Sequence, residues 1–255
     1  MIQIDKLAYS SSLREKSPVI KSLFAMITLA ITIMVRTGCF SIIVLLIMGY
    51  STVKYCRITL KEYLKFMLIP GTFLLISTVA IIFNISKNPM DINIISGQEY
   101  FLGIMKSDVF YALELMAVCI GSLSCLFFLS ATTPLQDMIF LMRKSKIPWL
   151  FIELTVLIYR YIFIIGNMVS TTVLAQNCRL GNTTFKRKMK DMPQMITSVF
   201  IRALDKSNKM YEAMEARCYN GKIEVLWESQ KASKKEIISL SGYILILVIL
   251  AVICY

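Results

Sequence analysis

Runs of apolar residues at 19–35, 39–53, 66–85, 109–130 and 237–255 leave few folds open to this chain. A helix crosses a bilayer with roughly 17–25 such residues. Inside hydrocarbon every backbone N–H and C=O must be paired within the spanning structure itself. With 56% hydrophobic residues and a mean hydropathy of +0.65, the polar surface is too small to wrap a water-soluble globule. The expected fold class is all-α: a polytopic membrane protein with about five spanning helices and cytoplasmic amphipathic helices attached.

The connections set the orientation, because short cytoplasmic loops carry an excess of Lys and Arg. Residues 1–18 are polar with a basic bias, which places the N-terminus in the cytoplasm. The segment 54–65 carries Lys54, Arg57, Lys61 and Lys65 against Glu62 and is also cytoplasmic. The loop 86–108 has no basic excess and turn signals at Asn88–Pro89 and Ser96–Gly97, so it is placed outside. Thr132, Thr133 and Pro134 open a short amphipathic helix that ends in Arg143, Lys144 and Lys146. The run 147–169 is apolar enough to span but contains Glu153 and Arg160. A single crossing there would export the very basic segment 171–236, against the charge rule. It is therefore expected to be a long helix partly buried among the others, continuing into the cytoplasmic part. Three divisions follow: transmembrane helices in 1–130, cytoplasm-ended helices in 131–236, and a last transmembrane helix in 237–255. The net charge of +12 is read as this orientation signal, not as a nucleic-acid surface, since the basic residues lie between apolar spans.

The chain has no histidine, which removes the usual general base and the commonest metal ligand. Seven cysteines include no CxxC pair. There is no phosphate-cradling glycine loop and no cluster of carboxylates. Glu114, Glu153 and Arg160 are the charges inside apolar runs. Glu114 is expected to face protein or the interface. Glu153 and Arg160, two turns apart on one face, are each expected to pair with a neighbouring helix. Neither an enzyme nor a stand-alone permease is indicated, so catalytic, metal and cofactor sites are expected to be absent.

The most informative polar stretch is 201–221, IRALDKSNKMYEAMEARCYNG. Leu204, Ser207, Met210, Tyr211, Met214 and Cys218 form one stripe at helical spacing, with Asp205, Lys206, Lys209 and Glu212 opposite. Gly221 suits the left-handed turn that ends a helix, which puts Arg217 in the last turn as an outward, five-donor fork. A preceding helix ends in the same manner at 175–181, with Arg179 shortly before Gly181. A basic loop, 185–190, is expected between them, with Pro193 starting the second helix.

At this point the residues resemble a known family. Ser207, Met210, Tyr211, Glu212, Ala213, Met214, Glu215, Ala216, Arg217, Cys218, Tyr219 and Gly221 are similar to the coupling motif of the T component of energy-coupling factor (ECF) transporters, which normally reads Ala-Arg-Gly. Residues 175–180 resemble the first of the family's two such motifs. The start of the chain, with Ile4, Asp5, Ala8, Tyr9, Ser11, Leu13, Arg14, Pro18 and Lys21, is similar to the CbiQ-type cobalt branch. Thr133–Pro134, Ile147–Pro148 and Tyr159–Arg160–Tyr161 fit that branch as well. The resemblance implies a non-catalytic transmembrane scaffold in the inner membrane of a bacterium or archaeon. It also implies two ABC-type ATPase subunits and a substrate-binding membrane subunit of cobalt-binding type as partners, with or without a small accessory membrane subunit. By the same resemblance Arg179 and Arg217 are the coupling arginines, flanked by Ala175, Cys178 and Leu180 in the first motif and by Ala216 and Cys218 in the second. Cys218 stands where glycine is usual, and Cys178 and Leu180 depart from the usual alanine and glycine. A T component serving nickel or a vitamin is the alternative, and a membrane-embedded enzyme a more distant one.

Overall fold

The computed structural model describes residues 3–14, 16–86, 92–96, 101–104, 106–145, 147–179, 184–221 and 233–254. Among these are nine helices: α1 (Gln3–Ser10), α2 (Pro18–Val35), α3 (Gly38–Cys56), α4 (Leu60–Ile82), α5 (Lys106–Thr132), α6 (Leu135–Lys144), α7 (Trp149–Cys178), α8 (Phe185–Glu215) and α9 (Lys234–Cys254). The chain divides into two compact units, Met1–Met138 with Ser229–Tyr255, and Ile139–Glu228.

In the first unit α5 is the central helix, packed by α2, α3 and α4, while α9 lies on α2. Phe40, Val44 and Met48 of α3 meet Cys125, Phe128 and Leu129 of α5 and Leu247 of α9 in one buried cluster. Small residues let the backbones approach, as membrane helices require where no hydrophobic force drives association. A Cβ added at Gly121 would sit 2.9 Å from the Ser41 carbonyl oxygen. Phe24 of α2 packs between Phe128 and Tyr243 with tilted rings, their centroids at 5.2 and 4.6 Å. The buried hydroxyls of Thr28, Thr32, Thr52 and Thr132 donate to carbonyls one turn back, so they add no unpaired donor to the apolar interior. Lys21 is only 4% exposed. Its ammonium donates to the Thr132 carbonyl at 3.3 Å and pairs with Asp137 at 3.4 Å, tying α2 to the α5–α6 corner.

The helical, polytopic architecture is as expected, with differences in detail. Among the described residues six helices are long and apolar enough to cross a membrane: the five expected spans and α7, whose run 147–169 already reads as apolar enough in the sequence. Glu153 and Arg160 both lie in its first half, which leaves residues 161–178 free of charge and of spanning length. The end of the expected span 66–85 and the loop 86–108 carry strands: β1 (Asn84–Ser86), β2 (Ile92–Ser96) and β3 (Phe101–Ile104) form an antiparallel sheet in the order β1-β3-β2. Its turn signals at Asn88–Pro89 and Gly97 fall outside the described residues. Pro193 does not start the second amphipathic helix but lies inside it, and the supposed basic loop 185–190 is its first turns. Proline removes one donor from the ladder, a loss that the many remaining bonds of a 31-residue helix carry. Arg36 and Arg57, which close α2 and α3, adopt left-handed backbone conformations usually left to glycine, with φ of 52° and 54°.

Glu114 meets its expectation of facing protein: it accepts a hydrogen bond from the Gly38 N–H at the start of α3, at 3.3 Å. A carboxylate there also faces the positive end of the α3 dipole.

Candidate functional site

The second arginine motif closes α8. The Cys218 N–H donates to the Glu215 carbonyl at 2.9 Å, and the Tyr219 N–H reaches back to the Met214 carbonyl at 3.1 Å. Cys218 itself is left-handed, with φ 61°. This pair of bonds around a left-handed residue is the Schellman arrangement, and it assigns each motif position a backbone role. Ala216 completes the last turn, Arg217 is the half-in cap residue, and position 218 must turn left-handed. Glycine is the least strained residue for that turn, so Cys218 carries the strain that a glycine would avoid. Gly221 is also left-handed, at φ 83°, three residues after the stop. The sequence places the stop near 218–221; the turn residue is Cys218.

Ala216, Arg217 and Cys218 are all exposed. Among the described residues the Arg217 guanidinium has no hydrogen bond or ion pair, so its fork is available to an outside acceptor. The loop that carries it is anchored by Tyr219, whose hydroxyl donates to Glu153 near the start of α7. Glu153 is 5% exposed. That hydrogen bond, with loss of solvent and the nearby carboxylate charge, pushes the Tyr219 phenol above its ordinary pKa. The partner of Glu153 thus comes from the turn after α8 and not from another helix. Arg160 is exposed, and no partner for it is found among the described residues. Tyr219 was legible only as a letter of the motif; the signal pointing to it was a carboxylate in an apolar run, which needs a donor.

The first motif is built differently. α7 ends at Cys178, and the Arg179 N–H donates to the Gln176 carbonyl at 3.1 Å with φ −91°, ψ 17°, not left-handed. Ala175, Cys178 and Arg179 are exposed. Leu180 and Gly181 lie outside the described residues. Arg179 lines a groove of about 380 Å³ between α7 and α8, together with Ala175, Gln176, Arg187, Asp191 and Arg202. Arg187 and Arg202 were not singled out from the sequence, since only the continuous helix α8 puts them on one face. About 20 Å of helix separates Arg202 from the end of α8 at Glu215. The two motifs are therefore separate features of one unit. Among the described residues no three His, Cys, Asp or Glu side chains gather as a metal site.

A family model described as CbiQ, cobalt transport protein, matches residues 9–232. An uncharacterized protein of Methanocaldococcus jannaschii is 28% identical over 97% of this chain and 92% of its own. The cobalt transport protein CbiQ of Salmonella typhimurium is 28% identical over 87% of this chain and 98% of its own. A protein of Methanocorpusculum labreanum described as a fused cobalt transport protein, CbiMQ, is 24% identical over 86% of this chain and 36% of its own. With a membrane helix bundle, two arginine-bearing helix ends and a family match across most of its length, the chain belongs to the CbiQ family of cobalt transport proteins, the T components of ECF transporters.

Proposed function

We propose that this chain is the coupling subunit of an ECF-type importer for cobalt. It transmits ATP-driven motion from two ABC-type ATPase subunits to a substrate-binding membrane subunit, and it is itself non-catalytic. The observation that carries the reading is the exposed Arg217 fork, unpaired among the described residues, on a hydrogen-bonded Schellman turn. A guanidinium held on a fixed turn loses little freedom when it docks an acidic groove. Arg179, with Arg187 and Arg202 beside it, makes the first contact point. Asp191 in the same groove keeps the cluster from being uniformly positive.

A cobalt-binding membrane subunit as partner is supported by the fused relative, whose name joins CbiM to CbiQ. In the proposed orientation the N-terminus, α6, both arginine motifs and the segment 131–236 lie on the cytoplasmic side of the inner membrane. The helix α7 then makes no crossing, so the basic segment after it is not exported, in accord with the positive-inside rule. Cobalt is cargo in this scheme and needs no ligand from this chain.

The test is affinity purification of the tagged chain from native membranes, with partners identified by mass. Two ATPases with a cobalt-binding membrane subunit are expected. ATPases with a nickel- or vitamin-binding subunit would keep the coupling role and replace the cargo. Absence of any ATPase would remove the coupling reading.

A further inference from the structure

The end of the helix bundle where α2 and α9 begin and α3 stops holds a cavity of about 260 Å³. Its lining changes character with depth. Lys16, Tyr55 and Glu236 stand at the rim, and Ser51 and Ser239 lie about 7–8 Å in from the helix ends, at 1.5 Å per residue. Phe24, Leu240, Ile47 and Tyr243 follow at about 9–14 Å. Phe128 of α5, packed on Phe24, belongs to the same wall. A wall that is polar for one helical turn and apolar below it fits an amphiphile, a charged head on a hydrocarbon chain. The helices α2, α3 and α9 are long and apolar enough to cross a membrane, so the rim falls at headgroup level and the apolar depth at the level of the chains. A partner helix, roughly 10–12 Å across with its side chains, is too wide for this space.

Charge narrows the choice of head group. Lys21 also lines the cavity, but its ammonium is engaged by the Thr132 carbonyl and by Asp137. Lys16 is exposed and has no ion pair among the described residues. Glu236 accepts one bond, from the Ser233 N–H to its Oε2 at 3.3 Å, and its Oε1 has no partner among the described residues. The rim thus offers one cation and one carboxylate. A phosphodiester pairs with the first and a primary ammonium with the second. An ethanolamine phospholipid carries both. Phosphatidylglycerol presents an anion alone, which Glu236 repels, and the quaternary ammonium of phosphatidylcholine has no N–H to donate to a carboxylate.

We propose that this cavity is a phosphatidylethanolamine site. The phosphate sits on Lys16, the ammonium on Glu236, and the upper part of one acyl chain against Phe24, Leu240 and Tyr243. The hydroxyls of Ser51, Tyr55 and Ser239 serve the phosphate and ester oxygens. The site does not rest on the coupling role proposed above.

The purified full chain is incubated in detergent with equimolar phosphatidylethanolamine, phosphatidylglycerol and phosphatidylcholine, and the retained lipid is read by native mass spectrometry. One retained lipid per chain is expected, with phosphatidylethanolamine in excess over the other two. Glu236→Gln keeps a carbonyl for the Ser233 N–H but removes the charge. It should lower the ratio of retained phosphatidylethanolamine to phosphatidylcholine by about two- to fivefold. Lys16→Gln should weaken retention of all three. Ser239→Phe, a change at an exposed position, should fill the cavity mouth and abolish retention. Equal retention of the three lipids, an excess of phosphatidylglycerol, a ratio unmoved by Glu236→Gln, or undiminished retention in Ser239→Phe would overturn the proposal. The isolated chain is measured, so the outcome is independent of which ATPases or cargo subunit it joins.

Discussion

Cys218 shows how a single backbone angle decides what a motif residue is for. At φ 61° a side chain with a Cβ is strained by about 1–2 kcal/mol, part of which glycine would give back as unfolded-chain entropy. Cys218→Gly is expected to raise stability by about 0.5–1 kcal/mol, measured by thermal unfolding of the purified chain in detergent, and to keep ATPase recovery unchanged. Arg217→Glu acts on the same turn but through charge, because it sets a carboxylate against the acidic ATPase groove proposed above. We expect a loss of about 2–5 kcal/mol in docking and hence at least tenfold less co-purified ATPase, with membrane insertion unaltered. Full complex yield in that variant would remove Arg217 from the coupling role. Tyr219 holds the loop to α7 by donating to Glu153. Its phenol pKa is raised in the folded chain, so the contact contributes fully below the unfolded value of about 10. It is lost as pH rises through the folded value. The unfolding midpoint should therefore fall more steeply above about pH 10 in the native chain than in Tyr219→Phe, and parallel profiles would show that the bond contributes nothing.

At the scale of elements the α3–α5 contact is the tightest point described. Gly121→Ala would drive a Cβ to 2.9 Å from the Ser41 carbonyl, a backbone atom that cannot swing aside. A cost of about 1–3 kcal/mol is expected in the same unfolding measurement. Gly71→Ala, where nothing lies within 4 Å, should be neutral or slightly stabilising through helix propensity. The short strands between α4 and α5, and the helical state of 185–190, were not legible because local signals there pointed elsewhere. Pro193 and a run of four cations read as a break and a loop. The helix forms because lysine, arginine and methionine are good helix formers and one proline costs only local bonds. The spanning helices were legible for the opposite reason, since their apolar length alone satisfies the bilayer.

For the whole molecule, cysteine access from outside tests the proposed topology. Cys39 is exposed at the start of α3, while Cys178 and Cys218 are exposed beside the two arginine motifs. In intact cells a membrane-impermeant maleimide should label Cys39 and leave Cys178 and Cys218 unmodified until the membrane is opened. Labelling of Cys218 from outside would mean that α7 crosses and that the basic segment is exported.

By itself the sequence determined the class of the protein, its helical spans and both arginine-bearing helix ends. Apolar run length, charge distribution and short motifs act locally, and no distant contact is needed to read them. Tertiary structure alone decided the rest: that Cys218 and not Gly221 makes the α8 turn, that Tyr219 is the donor for Glu153, and that Lys21 is paired with Asp137. Tyr219 and Glu153 lie 66 residues apart, and Lys21 and Asp137 116. Pairings at such separations come from the packing of whole helices, and no local pattern encodes them.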